Sequence, residues 1–265
     1  MELSSNSIID LVESGKRLEE RILFRESEDL PEESKNLLYS YRHHKADIED
    51  KDSIPLRESY HYYKIGNTQV ITGITLEESA PFKDSPDKGN LAVDIAIAEF
   101  VNKLIKDREI FAIEVSRFVD RTIRSAKFID MRKLVISEGL KVYSLFIDGI
   151  VTNNEGNILD TAVRSSVITL AKSKIGDSYL PLNFDRIPLS YTFAKVGNKI
   201  VLDPSSNEEL ASSAMLAVGI ANDKIVSLQQ IKSNGLKKDE ILLCVKTALE
   251  IYKYEKKIII DLVKK

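Results

Sequence analysis

A single cysteine, Cys244, in 265 residues leaves no intramolecular disulfide to form and fits a reducing, intracellular setting. No apolar run approaches the roughly 18–20 residues that a membrane-spanning helix needs. The opening MELSSNSIIDLVESGKRLEE carries charges where a secretion signal needs an apolar stretch. The expectation is a soluble, cytoplasmic protein with no membrane partner. His43, His44 and His61 are the three histidines, at spacings that suit no zinc site, and one cysteine cannot complete one. Neither G-x-x-x-x-G-K-S/T nor G-x-G-x-x-G occurs, so no glycine-rich loop cradles a nucleotide, and no cofactor or metal is expected. Asp148, Glu155, Asp160, Asp203, Glu208 and Glu209 are among many carboxylates, yet none stands in a recognised acid–base motif. Most of them are expected to cap or solvate loops, and no catalytic residue is assigned.

Apolar residues make up 43% and charged residues 30%, the balance of a folded soluble protein rather than a disordered chain. The formal net charge is −3, so any binding of nucleic acid must rest on a local patch. Residues 1–53 read as an amphipathic helix over 6–22 followed by an acid-rich segment, with a short helix around Glu32–Tyr41. Residues 57–78 then carry two β-rich runs that meet at Gly66-Asn67, a glycine-first pair suited to a tight II′ turn. A similar unit returns at 186–203, where Lys195-Val196-Gly197-Asn198 repeats Lys64-Ile65-Gly66-Asn67 about 130 residues later. Further hairpin signals lie at Asn153 to Asn157 and at Asn222-Asp223. Helical patterns follow at about 95–127, 159–173 and 239–264. Two α+β halves of related design are expected, at 54–182 and 183–265, the second ending in a helix that turns Ile241, Val245, Leu249 and Tyr252 toward a core.

The most informative segment is EVSRFVDRTIRSAKFIDMRK, residues 114–133. At about 100° per residue, Arg117, Arg121 and Arg124 fall within about 60° of one another on a helix. Phe111, Val115, Phe118, Val119, Ile123 and Ala126 take the opposite half, with Ile113 as a misfit. From 117 to 133, six basic residues stand against two acids in a chain of net negative charge. Guanidinium forks on one face suit successive phosphates of an extended strand. A solvated face salt-bridged to Glu114 and Asp120 is the alternative. Tyr60, Tyr62 and Tyr63 could stack bases, though packing in the core is the simpler role for such a strand.

Five segments, in order, resemble the RNase PH family, and within it the larger, catalytically silent subunit of the archaeal exosome. They are YHYYKIGNTQVITGI (60–74), PFKDSPDKGNLAVDI (81–95), SRFVDRTIRSAKFIDMRKLVI (116–136), DGIVTNNEGNILDTAVRSS (148–166) and KVGNKIVLDPSSNEELASSAMLAVGI (195–220). The resemblance implies an α+β fold: a duplicated βαβα domain of the ribosomal protein S5 domain 2-like kind, with mixed sheets packed against helices. Active members carry an aspartate directly before a methionine; the matching stretch here is Ser212-Ser213-Ala214-Met215, with alanine in place of the acid. Active members also hold phosphate through a Gly-Thr-Arg turn, where this chain reads Gly156-Asn157-Ile158-Leu159-Asp160.

The resemblance therefore implies a non-catalytic subunit that uses no cofactor itself, inorganic phosphate being consumed at a partner's site. It implies a hexameric ring of three heterodimers with a catalytic RNase PH-like subunit, and cap proteins with S1 or KH domains. Single-stranded RNA would be degraded 3′ to 5′, its phosphates held by Arg117 and Arg121, with Arg124 completing the R-x-x-D-R-x-x-R pattern. The usual basic R-x-D-G-R element near the start is matched only loosely, by Gly15-Lys16-Arg17-Leu18-Glu19-Glu20-Arg21. Two alternatives stay open: an active phosphorolytic enzyme with a relocated carboxylate such as Asp203 or Asp160, and a purely structural ring component without RNA contact.

Overall fold

The computed structural model describes Ile9, His44–Lys45 and residues 59–101, 107–175 and 178–264. The short helix expected around Glu32–Tyr41 lies outside these residues, as does the helix over 6–22 apart from Ile9, which is helical.

Two sheets dominate. The first contains β1 (His44–Lys45), β2 (Ser59–Ile65), β3 (Thr68–Ser79), β4 (Asn90–Ile97), β5 (Val135–Ser137) and β6 (Lys141–Asn153). Its order is β1-β2-β3-β6-β4, with β5 pairing β6, and only β4 runs parallel to its neighbour β6. A two-stranded ribbon, β7 (Lys174–Ile175) with β8 (Ser178–Tyr179), separates it in sequence from the second sheet. That sheet has β9 (Leu189–Val196), β10 (Lys199–Leu202), β11 (Ala214–Ala221) and β12 (Lys224–Ser233), antiparallel throughout in the order β10-β9-β11-β12. The helices are α1 (Arg108–Ala126), α2 (Ile158–Lys172), α3 (Ser206–Ala211) and α4 (Lys238–Lys264).

The expected turns are present with a clear chemical division. Gly66 and Gly197 have φ of 57° and 59°, while the asparagine after each has ordinary φ, so glycine carries the left-handed position of each hairpin. Asn222 and Asp223 both have positive φ, the I′ pattern that suits such residues. The stretch from Asn153 to Asn157 is not a hairpin: Asn157 is the N-cap of α2, its side chain accepting the N–H of Asp160. Its flanking ILDTAV run opens that helix and is buried on every side.

Helices α1 and α2 lie between the sheets. α1 packs on β4 and β12, α2 on β2, β3 and β9, and α4 covers β9 and β11. One core joins the layers, with Phe118, Ile123, Val163, Leu145, Tyr191 and Tyr252 among its buried side chains. The helix expected over 95–127 begins only at Arg108. Residues 90–97 alternate instead, burying Leu91, Ile95 and Ile97 while Ala92, Asp94 and Ala96 face out, the period of a strand with one covered face. On α4 the fully buried stripe runs through Cys244, Ala248, Ile251, Tyr252 and Ile259, leaving Ile241, Val245 and Leu249 half-buried beside it.

Candidate RNA-phosphate surface

Helix α1 is fixed from both sides. The Ser116 hydroxyl accepts the N–H of Ile95 on β4 at 2.8 Å and donates to the Ala112 carbonyl. The hydroxyls of Thr122 and Ser227 on β12 meet at 2.6 Å, and the Gln229 amide donates to Glu114 at 3.2 Å. Gly219 on β11 makes this approach possible: a Cβ there would lie 2.1 Å from Ser227 Oγ and 3.1 Å from Thr122 Cγ2. Val115, Phe118, Val119, Ile123 and Ala126 are buried as the periodicity requires, Phe111 is half-buried, and the misfit Ile113 is exposed.

The opposite face carries Arg117, Arg121 and Arg124, all exposed, together with Asp94 and Asp120 around a shallow groove of about 540 Å³. Arg117 pairs with Glu114 at 3.2 Å. Arg124 grips both Asp120 oxygens, at 2.6 and 3.2 Å, and donates to the Leu91 carbonyl at 3.1 Å. Arg121 has no hydrogen bond or ion pair among the described residues. The salt-bridged alternative is thus realised for two of the three arginines. Such exposed pairs contribute about 0–1 kcal/mol, so they hold side chains in place without withdrawing them from a competing phosphate. Lys127, at the C-cap, extends the same charge one turn further.

Asp160, Asp203 and Glu208, three of the carboxylates singled out in the sequence, are buried and hydrogen-bonded within the fold. Ala214 is fully buried at the start of β11. Asp160 is buried and accepts from Asn157 Nδ2, Ser190 Oγ and both the N–H and hydroxyl of Thr192, at 2.7 to 3.0 Å. Burial pushes its carboxyl up, with Arg164 and the donors Asn157, Ser190 and Thr192 pulling the other way. Asp203, also buried, accepts the second N–H of the Asn157 amide at 2.8 Å. Glu208 closes a capping box with Ser205.

Glu209 takes the N–H of Asn157, at the start of α2, at 2.7 Å. Nothing in the local sequence signals this bond, which joins residues 52 apart. Lys232 stands beside it, donating to the carbonyls of Glu209, Leu210 and Ser212. Gly156 allows the crowding: its φ is 98°, and a Cβ would lie 2.3 Å from the Pro204 carbonyl oxygen. The start of α2 thus meets a carboxylate of its own chain, whose backbone carbonyl is in turn held by Lys232.

Other reactive groups are quiet. Burial, with the nearby Glu240, pushes the Cys244 thiol up to about 12, far from a nucleophilic thiolate. Among the described residues there is no cluster of metal-binding side chains, and no helix is long and apolar enough to cross a membrane. Tyr63 is in the core and Tyr62 half-buried, which suits packing rather than stacking on bases.

Known proteins share this fold and much of the sequence. Two family models match in order: the 3′ exoribonuclease family, domain 1, over residues 45–176, and domain 2 over 186–251. An exosome complex component Rrp42 from Methanothermobacter thermautotrophicus is 31% identical, covering 94% of this chain and 91% of its own. The Rrp42 of Thermoplasma acidophilum is 30% identical, with coverage of 95% and 93%. The fold is shared with a chain of an Archaeoglobus fulgidus exosome with RNA bound to the active site, at a TM-score of 0.80, 24% identity and 96% of each chain. With both domain models matched in sequence order and relatives aligned over nearly the whole length, this chain belongs to the RNase PH, or 3′ exoribonuclease, family.

Proposed function

We propose that this chain is an Rrp42-like ring subunit of an archaeal-type RNA exosome, acting in the cytoplasm. It pairs with a catalytic RNase PH-like subunit in a trimer of heterodimers, under RNA-binding cap proteins with S1 or KH domains. The partner breaks the bond: inorganic phosphate attacks the 3′-terminal linkage of single-stranded RNA and releases a nucleoside diphosphate. This chain supplies a wall of the RNA path.

The observation that carries the reading is the exposed row Arg117, Arg121 and Arg124 on a helix anchored at both flanks. A guanidinium fork offers two parallel N–H donors to a phosphate, and anchoring the backbone lowers the entropy lost when RNA is held. Phosphate contacts carry no base identity, which suits a degradation machine that must accept every sequence. The non-catalytic role is supported by Ala214 and by carboxylates already engaged within the fold: Asp160, Asp203, Glu208 and Glu209 all accept hydrogen bonds from the chain itself. An active enzyme with Asp160 or Asp203 as relocated acid would have to break that network.

The test is the ring reconstituted from this chain and its catalytic partner. Arg117→Glu with Arg121→Glu is expected to leave the assembled mass unchanged while lowering RNA affinity and the degradation rate. RNA binding equal to the unmodified ring would overturn the reading.

A further inference from the structure

Beside the arginine row, a second and larger cleft of about 990 Å³ opens between the β3–β4 loop, the end of α1 and the Pro181–Arg186 segment. Six cations line it, Lys88, Arg124, Lys127, Arg132, Lys133 and Arg186, against two acids, Asp130 and Asp185. Arg132 and Lys133 make long exposed ion pairs with Asp87 and Asp130, at 3.7 and 3.9 Å. Lys88, Lys127 and Arg186 have no side-chain hydrogen bond or ion pair among the described residues. Lys127 holds φ of 54°, the left-handed C-cap conformation that ends α1, with its side chain exposed.

The cleft is not only basic. Phe82 and Phe184 line it with 55% and 38% of their surface exposed, and Phe184 is propped edge-on against buried Phe128 at 6.1 Å between ring centres. Cations at a rim with open aromatic faces are the chemistry that holds unpaired nucleotides, phosphates on the charges and bases on the rings. A duplex would offer its backbone but no free base face. Arg124 lines both this cleft and the groove of the arginine row, so the two surfaces meet at that side chain.

We infer that this cleft is a second single-stranded RNA subsite, continuous with the arginine row through Arg124, in which Lys88, Lys127 and Arg186 hold phosphates and Phe82 and Phe184 stack on bases. The inference rests on the RNA reading of the row and lengthens the stretch of RNA this subunit holds. It predicts that RNA too short to reach the cleft does not sense its charges.

The experiment measures binding of labelled oligoadenylates to the reconstituted ring. Lys88→Glu with Lys127→Glu changes two exposed side chains outside the core, and Phe184→Ala tests stacking separately. For RNA of about 16 nucleotides, the lysine variant is expected to bind about tenfold more weakly, with a salt dependence shallower by about 0.7 for each phosphate it no longer neutralises. For RNA of about 4 nucleotides it should bind as the unmodified ring does. Phe184→Ala should weaken long RNA without altering the salt slope.

If Arg117→Glu with Arg121→Glu weakens binding while the lysine variant binds long RNA normally, the cleft inference fails and the row stands. If neither variant changes binding, the reading beneath it fails as well. If the lysine variant loses ring or cap assembly while long RNA binds as before, the cleft is a protein interface and the inference is overturned.

Discussion

The backbone N–H of Asn157, at the start of α2, donates to Glu209 Oε1 at 2.7 Å, so this helix terminus is already occupied by a carboxylate of its own chain. A helix N-terminus attracts anions through unpaired N–H groups and the helix dipole. Here Glu209 meets that demand from within, and its charge in turn opposes the lowering of the Lys232 ammonium by burial. Glu209→Ala is expected to lower stability by about 1–2 kcal/mol through removal of a charged acceptor at the helix start. Glu209→Gln, which keeps an acceptor, should lose less. Chemical denaturation of the two variants checks this, and a Glu209→Ala variant as stable as the unmodified protein would mean that the carboxylate contributes nothing at the helix start.

The isolated chain should release no nucleoside diphosphate from RNA and phosphate. On the proposed reading, removing the internal anion does not change that, since Ala214 still offers only a methyl group where the resemblance puts an acid in active members. Glu209→Ala is therefore expected to remain inactive alone. Phosphate-dependent product release from either purified chain, scaled to its concentration, would refute the assignment of bond breaking to the partner.

Much of the fold was legible because hydrophobic period and turn chemistry agree locally. The glycine-first pairs at Gly66 and Gly197 set both hairpins, and the apolar stripe of α1 fixed which face the arginines would show. Strand β4 was hidden because its apolar run continues into the next segment, so a helical period reads from near residue 95 rather than from Arg108. The burial of Asp160, the bond between Glu209 and Asn157, and the cleft that gathers Lys88, Lys127 and Arg186 were not legible. Each depends on segments distant in sequence, and no local spacing encodes their meeting.

Of the three arginines, Arg121 is the one to watch. Arg117 and Arg124 must exchange Glu114 and Asp120 for phosphate, whereas Arg121 has no ion pair among the described residues to give up. Single replacement Arg121→Ala should lower the RNA salt dependence by about 0.7, the value for one phosphate on a single strand. Arg124→Ala should have an added structural effect, because Arg124 also bonds the Leu91 carbonyl on β4. Titrations at several salt concentrations on the assembled ring separate the two.

Lys195 on β9 meets Glu240 of α4 at 2.6 Å, and the N–H of Lys237 donates to the same carboxylate at 2.7 Å. Burial alone would raise the Glu240 carboxyl; the hydrogen bonds and charges of Lys195 and Lys237 outweigh it and hold the group below its usual range. With the folded value below the unfolded one, its stabilisation is complete above the unfolded pKa of about 4.3 and fades as pH falls through the folded value. The stability gap between the unmodified protein and Glu240→Gln should therefore be widest near neutrality and shrink under acid. Urea midpoints measured from about pH 6 to about pH 3 test the sign. A gap independent of pH would show that the carboxylate charge plays no part.

Arg164 and Glu255 form the deepest ion pair among the described residues, with side chains 1% and 2% exposed and two parallel bonds of 2.7 and 2.9 Å. Arg164 also donates to the Ser190 carbonyl at 2.8 Å and lies over the Tyr191 ring, so it ties α2, α4 and β9 together. Glu255→Ala strands a guanidinium in the core and should lower stability by about 3–5 kcal/mol. Attraction between buried charges is largely offset by their desolvation, so replacing both partners with apolar residues of similar size should cost far less. Arg164→Met with Glu255→Leu is therefore expected to be more stable than Glu255→Ala alone, as measured by denaturant midpoint. If the double variant is the weaker of the two, the remaining donors of Arg164, rather than its pairing with Glu255, hold the three elements in place.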